Sequence, residues 1–387
     1  MPDPSRPFTA RLHTAIEGLD AAAWNALLEH QAAPTPFMRH EYLQALEASG
    51  SATTETGWTP CHLSLHEGER LVAACPLYWK AHSYGEYVFD WAWADAYRRH
   101  GLAYYPKLVC AVPFTPVPGT RLLAADETCR HALVSAIGEV ARQQGASSAH
   151  LLFCDGTDVD ATIRAGWMER DAVQFHWHNR PEGFDHFSDF LASLQRDKRK
   201  KIQQERRRVA EAGVHFTSHE GTAITPELWS LFYRCYTRTY REHGSTPYLT
   251  RDFFHRMARD LAAHWLLFVA WRGEQPVATS LLAVDRARSV VFGRYWGALQ
   301  RVPMLHFEAC YYQPIEWCIA NRMQRLEGGA QGEHKLARGL MPTRQRSAHW
   351  LAHPQFARAV ADFLQQEGAG MDAYLDELNE RSPFKAS

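Results

Sequence analysis

One order of elements runs twice through this 387-residue chain, and it limits the fold more than any other feature. Near the start, residues 21–30 and 41–48 have helical periodicity, with Asp20 placed to cap the first helix. From Thr59 the texture changes. His62-Leu63-Ser64-Leu65 alternates, Glu67-Gly68-Glu69 reads as a turn, and residues 71–79 read as a second strand. Beyond Gly85, Tyr87-Val88-Phe89 completes an antiparallel meander. Residues 107–112 form another apolar strand, followed by a Pro/Gly-rich loop at 113–120, a helix at 127–144 and strands at 150–153 and 173–177. The second half begins with helices at 187–212, 226–242 and 251–262. A second meander follows at 265–271, 277–285 and 289–294, with Gly273-Glu274 as a turn. A helix within 305–323, a strand at 324–327 and helices at 355–366 and 371–380 finish the chain. The repeat is one of pattern, not of residue identity. It predicts an α/β fold of two tandem units, residues 1–180 and 181–387, each a mixed, mostly antiparallel sheet flanked by helices and joined near Arg180-Pro181-Glu182-Gly183.

Composition supplies the core and excludes several classes. With 46% hydrophobic residues there is ample apolar material. The 42 Lys+Arg and 43 Asp+Glu almost cancel, so bulk charge selects no polyanionic partner, and only local runs do. Eight cysteines are scattered without the close spacing of a zinc knuckle or a redox pair, and most sit in apolar runs as free thiols. Met1-Pro2-Asp3-Pro4 lacks a secretory pattern, and no apolar run approaches the roughly 20 residues of a membrane span. A soluble, cytoplasmic protein is expected.

A meander, then a loop, then a helix is the order in which acetyltransferase-like folds build a cofactor site. The loop and helix N-terminus offer N–H groups to a pyrophosphate, and the parted sheet admits a thioester or ester. Five polar-aromatic strings sharpen this analogy. They are Phe89-Asp90-Trp91-Ala92-Trp93-Ala94-Asp95-Ala96-Tyr97; Tyr104-Tyr105-Pro106-Lys107-Leu108 with Val112-Pro113-Phe114-Thr115-Pro116; Gly293-Arg294-Tyr295-Trp296-Gly297; Leu305-His306-Phe307-Glu308-Ala309-Cys310-Tyr311-Tyr312-Gln313; and Gly328-Gly329-Ala330-Gln331-Gly332-Glu333-His334-Lys335 with Ala337-Arg338-Gly339. Together they resemble the peptidoglycan biosynthesis/recognition family, over residues 37–367. That family is similar to GNAT-class acetyltransferases and related to the Fem-type aminoacyltransferases, which carry two such units. The resemblance implies an N-acyltransferase that moves an acyl or aminoacyl group to an amine, a small molecule, a peptide or a cell-wall precursor. It implies no tightly bound cofactor, with acyl-CoA or aminoacyl-tRNA as co-substrate.

Within this reading the second half carries the active site. On one helix His306, Cys310, Gln313 and Trp317 share a face, although Pro314 either kinks that helix or marks its first turn. His306, Glu308, Glu333 and His334 are the acid/base candidates. Gln331, Lys335 and Arg338 sit beside flexible glycines and suit a phosphate or carboxylate. Arg294, ending a strand beside Tyr295 and Trp296, suits a planar anion. In the first half Asp90, Tyr104, Tyr105 and Lys107 read either as a substrate cleft or as core with buried ion pairs. No metal is expected, because the spacing of these His and Glu matches no ligand pattern. The loop at 115–121 has too many prolines for a good phosphate cradle, and His176 and His178 read as one face of a half-exposed strand.

The run Arg196-Asp197-Lys198-Arg199-Lys200-Lys201 with Arg206-Arg207-Arg208 places eight cations against two acids. It reads as a solvated helix face or as a polyanion contact, and residues 196–208 are the candidate tRNA contact. Two other classes remain. One is a non-catalytic module that binds a peptide or cell-wall precursor. The other, a hydrolase, lacks a Gly-x-Ser-x-Gly elbow and any activated environment for Cys310.

Overall fold

The computed structural model describes residues 7–330 and 332–385. The chain divides into two compact units, Met1–Ala172 with Gln345–Asp372 and Val173–Arg344 with Ala373–Ser387. The sequence pattern puts one boundary at 180/181. The observed division falls earlier, inside a strand, and the chain re-enters the first unit at 345.

The first unit carries β1 (Thr9–His13), β2 (Trp58–Pro60), β3 (His62–Glu67), β4 (Arg70–Cys75), β5 (Leu77–Lys80), β6 (Lys107–Cys110), β7 (Leu123–Ala124) and β8 (Ser148–Cys154). Its helices are α1 (Ala21–Glu29), α2 (His40–Ala48), α3 (Trp91–Arg99), α4 (Glu127–Gln143) and α5 (Gly156–Arg164). Strands β1, β3, β4 and β7 form a four-stranded sheet in the order β1-β3-β4-β7, and β8, β6, β5 and β2 lie side by side in a second. Strands β5 and β6 are antiparallel, whereas β6 and β8 are parallel and joined through α4. Asp126 caps α4 by accepting from the Cys129 N–H at 2.8 Å. Cys129, Leu133, Val134, Ile137 and Ala141 then recur at helical spacing and bury against Leu108, Cys110 and Leu151 of the sheet.

The strand expected at Tyr87-Val88-Phe89 does not form. Segment 81–90 is irregular, with Tyr87 at φ 61, and α3 follows it. A buried ionic cluster holds this segment off the sheet. The Lys107 ammonium donates to Glu86 at 2.8 Å, to Ser83 at 2.9 Å and to Asp90. Tyr104 donates its hydroxyl to Asp90 at 2.6 Å, and Tyr105 shares a 2.8 Å bond with Ser83. Burial alone would depress the Lys107 pKa, but Glu86 and Asp90 outweigh it and raise it. Of the two readings of Asp90, Tyr104, Tyr105 and Lys107, the geometry is that of core with buried ion pairs.

Strand β9 (Met168–His178) carries the chain into the second unit. There follow α6 (Phe187–Ser193), α7 (Arg196–Glu211), β10 (Val214–Glu220), α8 (Pro226–Glu242), α9 (Arg251–Asp260), β11 (Trp265–Arg272), β12 (Gln275–Asp285) and β13 (Val290–Ala298). A continuous helical segment comes next: α10 (Leu305–Phe307), a π turn (Glu308–Tyr312) and α11 (Gln313–Ala320). It leads to β14 (Arg325–Glu327). The strands lie in the order β10-β11-β12-β13-β14-β9. The logic of the first unit recurs: β12 and β13 are antiparallel, while β13 and β14 are parallel and joined through a helix. Finally β15 (Met341–Leu351) and α12 (Pro354–Glu380) return the chain to the first unit, where β15 pairs with β8.

Two helices differ from the periodicity. Residues 187–212 break into α6 and α7, because Leu194 is fully buried in an extended conformation and Gln195 gives its N–H to the Pro383 carbonyl at 2.8 Å. The two terminal helices are one, since Gly368 and Gly370 stand in open space and cost α12 only about 1 kcal/mol each.

Replacing Lys107 by Met leaves Asp90 buried without its cation and Glu86 with only Lys80, at 4.0 Å. Urea denaturation of this variant is expected to show a loss of about 3–5 kcal/mol.

Candidate active site

The site begins where two parallel strands stop pairing. Strands β13 and β14 share three positions, the last being Phe292 opposite Glu327. Beyond it β13 continues along β12, while β14 ends and the chain departs at Gly328. A Cβ on Gly328 would lie 2.4 Å from a Leu340 methyl and 2.9 Å from the Phe175 carbonyl, so only glycine fits this departure. The β12–β13 register shifts at the same level: Leu281 faces Tyr295 and Leu282 faces Gly293, leaving Arg294 as the extra residue of a bulge.

The gap is a cavity of about 300 Å³ lined by Ser280, Gly293, Arg294, Tyr295, Trp296, His306, Cys310, Tyr311, Gly328, His334 and Lys335. Six of these are candidates from the sequence: Arg294, Tyr295, Trp296, His306, His334 and Lys335. The segments around 306 and 333 thus meet at one place. The His306 and His334 rings lie 6.4 Å apart, and the Tyr311 hydroxyl and His334 Nε2 are 3.2 Å apart. Trp296 packs edge-on to His306 at 5.5 Å. The Arg294 guanidinium lies 5.0 Å from the Tyr295 ring.

Electrostatics follow from burial. Burial first, then His334, Lys335 and Arg338, pull the His306 pKa down to about 4, so this imidazole is neutral at pH 7. His334 is lowered by burial and by the same two cations. Lys335 is 6% exposed and donates to the Gly328 carbonyl at 2.6 Å and the Gly329 carbonyl at 3.1 Å. Burial draws its pKa down to about 8. The Cys310 thiol is pushed up to about 12 by burial and is no ready nucleophile. Among the described residues no three His, Cys, Asp or Glu converge as metal ligands.

The remaining candidates are held elsewhere. Glu308 is turned away from the cavity: Arg206 grips it at 3.1 Å and Gln313 donates to it at 2.8 Å, and both Glu308 and Gln313 line a separate cavity against α7. The π turn explains this. Pro314 has no N–H to give, and the widened turn adds a residue, so His306 and Gln313 no longer share a face. Glu333 pairs with Arg381 at 3.0 Å and accepts from Tyr374 at 3.1 Å. Arg338 is buried, bonded to Glu205 at 2.8 and 2.9 Å, with its guanidinium 3.5 Å from the Phe307 ring. It braces the loop and does not face the cavity. Gln331 lies outside the described residues. Sequence reasoning missed Ser280, a hydroxyl within an apolar strand, and Tyr311, which stood unremarked inside the fourth string.

The peptidoglycan biosynthesis/recognition family, FemAB-like, matches residues 15–386. No curated protein matches the chain. Among solved structures it is similar to FemX, at 10% identity and a TM-score of 0.54, over 89% of this chain and 98% of that one. A C-terminal domain of a putative lysylphosphatidylglycerol synthetase from Agrobacterium fabrum gives 10% identity and a TM-score of 0.54, over 89% of this chain and 95% of that one. L-PGS from Bacillus licheniformis also gives 10% identity and 0.54, over 89% and 97%. At such identity these likenesses show the fold alone.

The buried His306 makes stability depend on pH. Its folded-state pKa of about 4 lies below the ordinary 6.5, so the unfolded chain takes up the proton first and stability falls as pH drops through that window. A His306→Asn variant lacks this loss. Chemical denaturation at pH 7 and pH 4 is expected to show wild type losing about 3 kcal/mol more than the variant.

Proposed function

We propose that this chain, which belongs to the FemAB-like peptidoglycan biosynthesis/recognition family, is a transferase that moves an acyl or aminoacyl group onto an amine in the cavity of its second unit. Its α/β fold of two tandem acetyltransferase-like units supports the reading. The observation that carries it is the gap beyond Phe292 and Glu327, walled by two neutral imidazoles and one ammonium.

In this reading a thioester or ester carbonyl enters between the parted strands. The amine lone pair attacks the carbonyl carbon, a C–N bond forms and the C–S or C–O bond breaks. Two of the three Lys335 N–H groups are held by Gly328 and Gly329, which leaves the third for the developing oxyanion. His306 or His334 takes the proton of the attacking amine, and the leaving thiolate or alkoxide receives it. Arg294, Tyr295 and Trp296 hold the substrate. Glu308 and Glu333, each engaged by an arginine, take no part.

The donor is a coenzyme A thioester or an aminoacyl-tRNA, and the acceptor an amine that includes cell-wall precursors. Exposed Arg196, Lys200, Lys201, Arg207 and Arg208 on α7 support a polyanionic contact. Of the described residues, no helix is long and apolar enough to cross a membrane.

Steady-state kinetics with each donor test this. Lys335→Met is expected to lower kcat by about 10²–10³-fold and His334→Ala by about 10²-fold, while Glu333→Ala keeps wild-type turnover. Undiminished turnover in both of the first two variants sinks the assignment. Binding of precursor without any turnover would favour the non-catalytic module. If tRNA is the donor, replacing Lys200 and Lys201 by Gln flattens the dependence of log affinity on log salt, by about one unit of slope for every phosphate the variant no longer neutralises.

A further inference from the structure

Resting on the transferase reading, we propose that the reactant entering the second unit's cavity carries a carboxylate, and that the cavity rejects a reactant whose side chain ends in an ammonium. The argument starts from a count of charges. Arg294 and Lys335 bring two cations to the lining, the two histidines are neutral, and no Asp or Glu is among the described lining residues.

The acids of the surrounding elements are already engaged. Glu205 is bonded to Arg338, Glu308 to Arg206, Glu327 to Arg325 at 3.0 Å and Glu333 to Arg381. Each holds its own arginine, and none turns to Lys335. That lysine is 6% exposed, and its hydrogen bonds run to two neutral backbone carbonyls. A buried cation held only by dipoles gains most from a ligand that brings the opposite charge. A carboxylate held near Lys335 does so through its charge, with the bulged Arg294 donating to it, while the third Lys335 N–H stays with the developing oxyanion. An ammonium there meets two like charges. Burial depresses the pKa of Lys335, and no carboxylate contact offsets it.

The cavity of about 300 Å³ limits the group to a short one. The carboxylate comes either from the acyl group of the donor, as in a dicarboxylic monoacyl thioester, or from an amino-acid acceptor. The chemistry at Lys335 is the same in both.

Three probes of one five-carbon frame separate the charges: glutarate, glutaramide and cadaverine, titrated calorimetrically into the full chain. Glutarate is expected to bind at least about 10-fold more tightly than glutaramide, with cadaverine giving no heat. Lys335→Met removes that preference. Arg294→Gln, expected to weaken glutarate by about 10-fold, serves should the first variant not fold. Glutaramide or cadaverine binding as tightly as glutarate overturns the proposal, as does a preference unchanged in the folded variants. The source is then read from turnover. Succinyl-CoA favoured over acetyl-CoA puts the carboxylate on the donor, and glycine favoured over glycinamide puts it on the acceptor. Equal rates in both comparisons overturn the proposal for the reaction. Glutarate preference without any turnover leaves the charge argument standing and removes the transferase reading.

Discussion

The site depends on one short ladder. Three positions of parallel pairing fix β13 beside β14, and at Phe292 and Glu327 the ladder ends. Two strands that part leave backbone carbonyls without a strand partner, a state buried chain tolerates only when something else donates to them. Lys335 does this for Gly328 and shares the Gly329 carbonyl with the Phe175 N–H of β9, 3.1 Å away. The same side chain that satisfies the opened edge therefore stands as a cation at the floor of the cavity. Opening and charge are one feature of the fold.

Around that opening, arginine–glutamate pairs set which polar groups face the cavity and which hold the frame. Arg338 bonds to Glu205, which Tyr312 also reaches, tying the loop after β14 to α7. Arg206 bridges Glu308 and Glu316, at 3.1 and 2.6 Å, tying α7 to the helix before β14. Breaking the buried Arg338–Glu205 pair is expensive, so it holds the frame around the opening in place. What remains for a substrate is two neutral imidazoles, a lysine, an arginine and aromatic walls. The first unit repeats the strand–helix–parallel strand order, and in it Arg121 is buried and bonded to the Leu152 and Gly119 carbonyls, both at 3.1 Å.

Much of this is legible in the residues alone. The apolar runs at 265–271 and 277–285 gave two strands in the right places because both strands are buried along nearly their whole length. The convergence of the His306 and Lys335 segments followed from strings dense in His, Tyr and Gly. The strand at 87–89 failed because its apolar letters are Tyr, Val and Phe, while its course is set by Glu86 and Asp90 reaching for Lys107, which lies 21 and 17 residues further on. Glu308 and Glu333 looked like bases for a related reason: a glutamate beside histidines reads the same whether or not an arginine from another helix has claimed it.

By itself the sequence determined the α/β class, the doubled order of elements, the abundance of core and the segments that build the site, since these rest on local periodicity and on residue types a few positions apart. The tertiary structure alone decided which carboxylates are neutralised, where the chain re-enters its first unit, and that the widened turn at 308–312 sends Glu308 and His306 to opposite sides. Those outcomes are set by ion pairs between elements more than a hundred residues apart, such as Arg206 with Glu308, and by how an unpaired backbone edge is satisfied. Neither leaves a mark in the spacing of nearby residues.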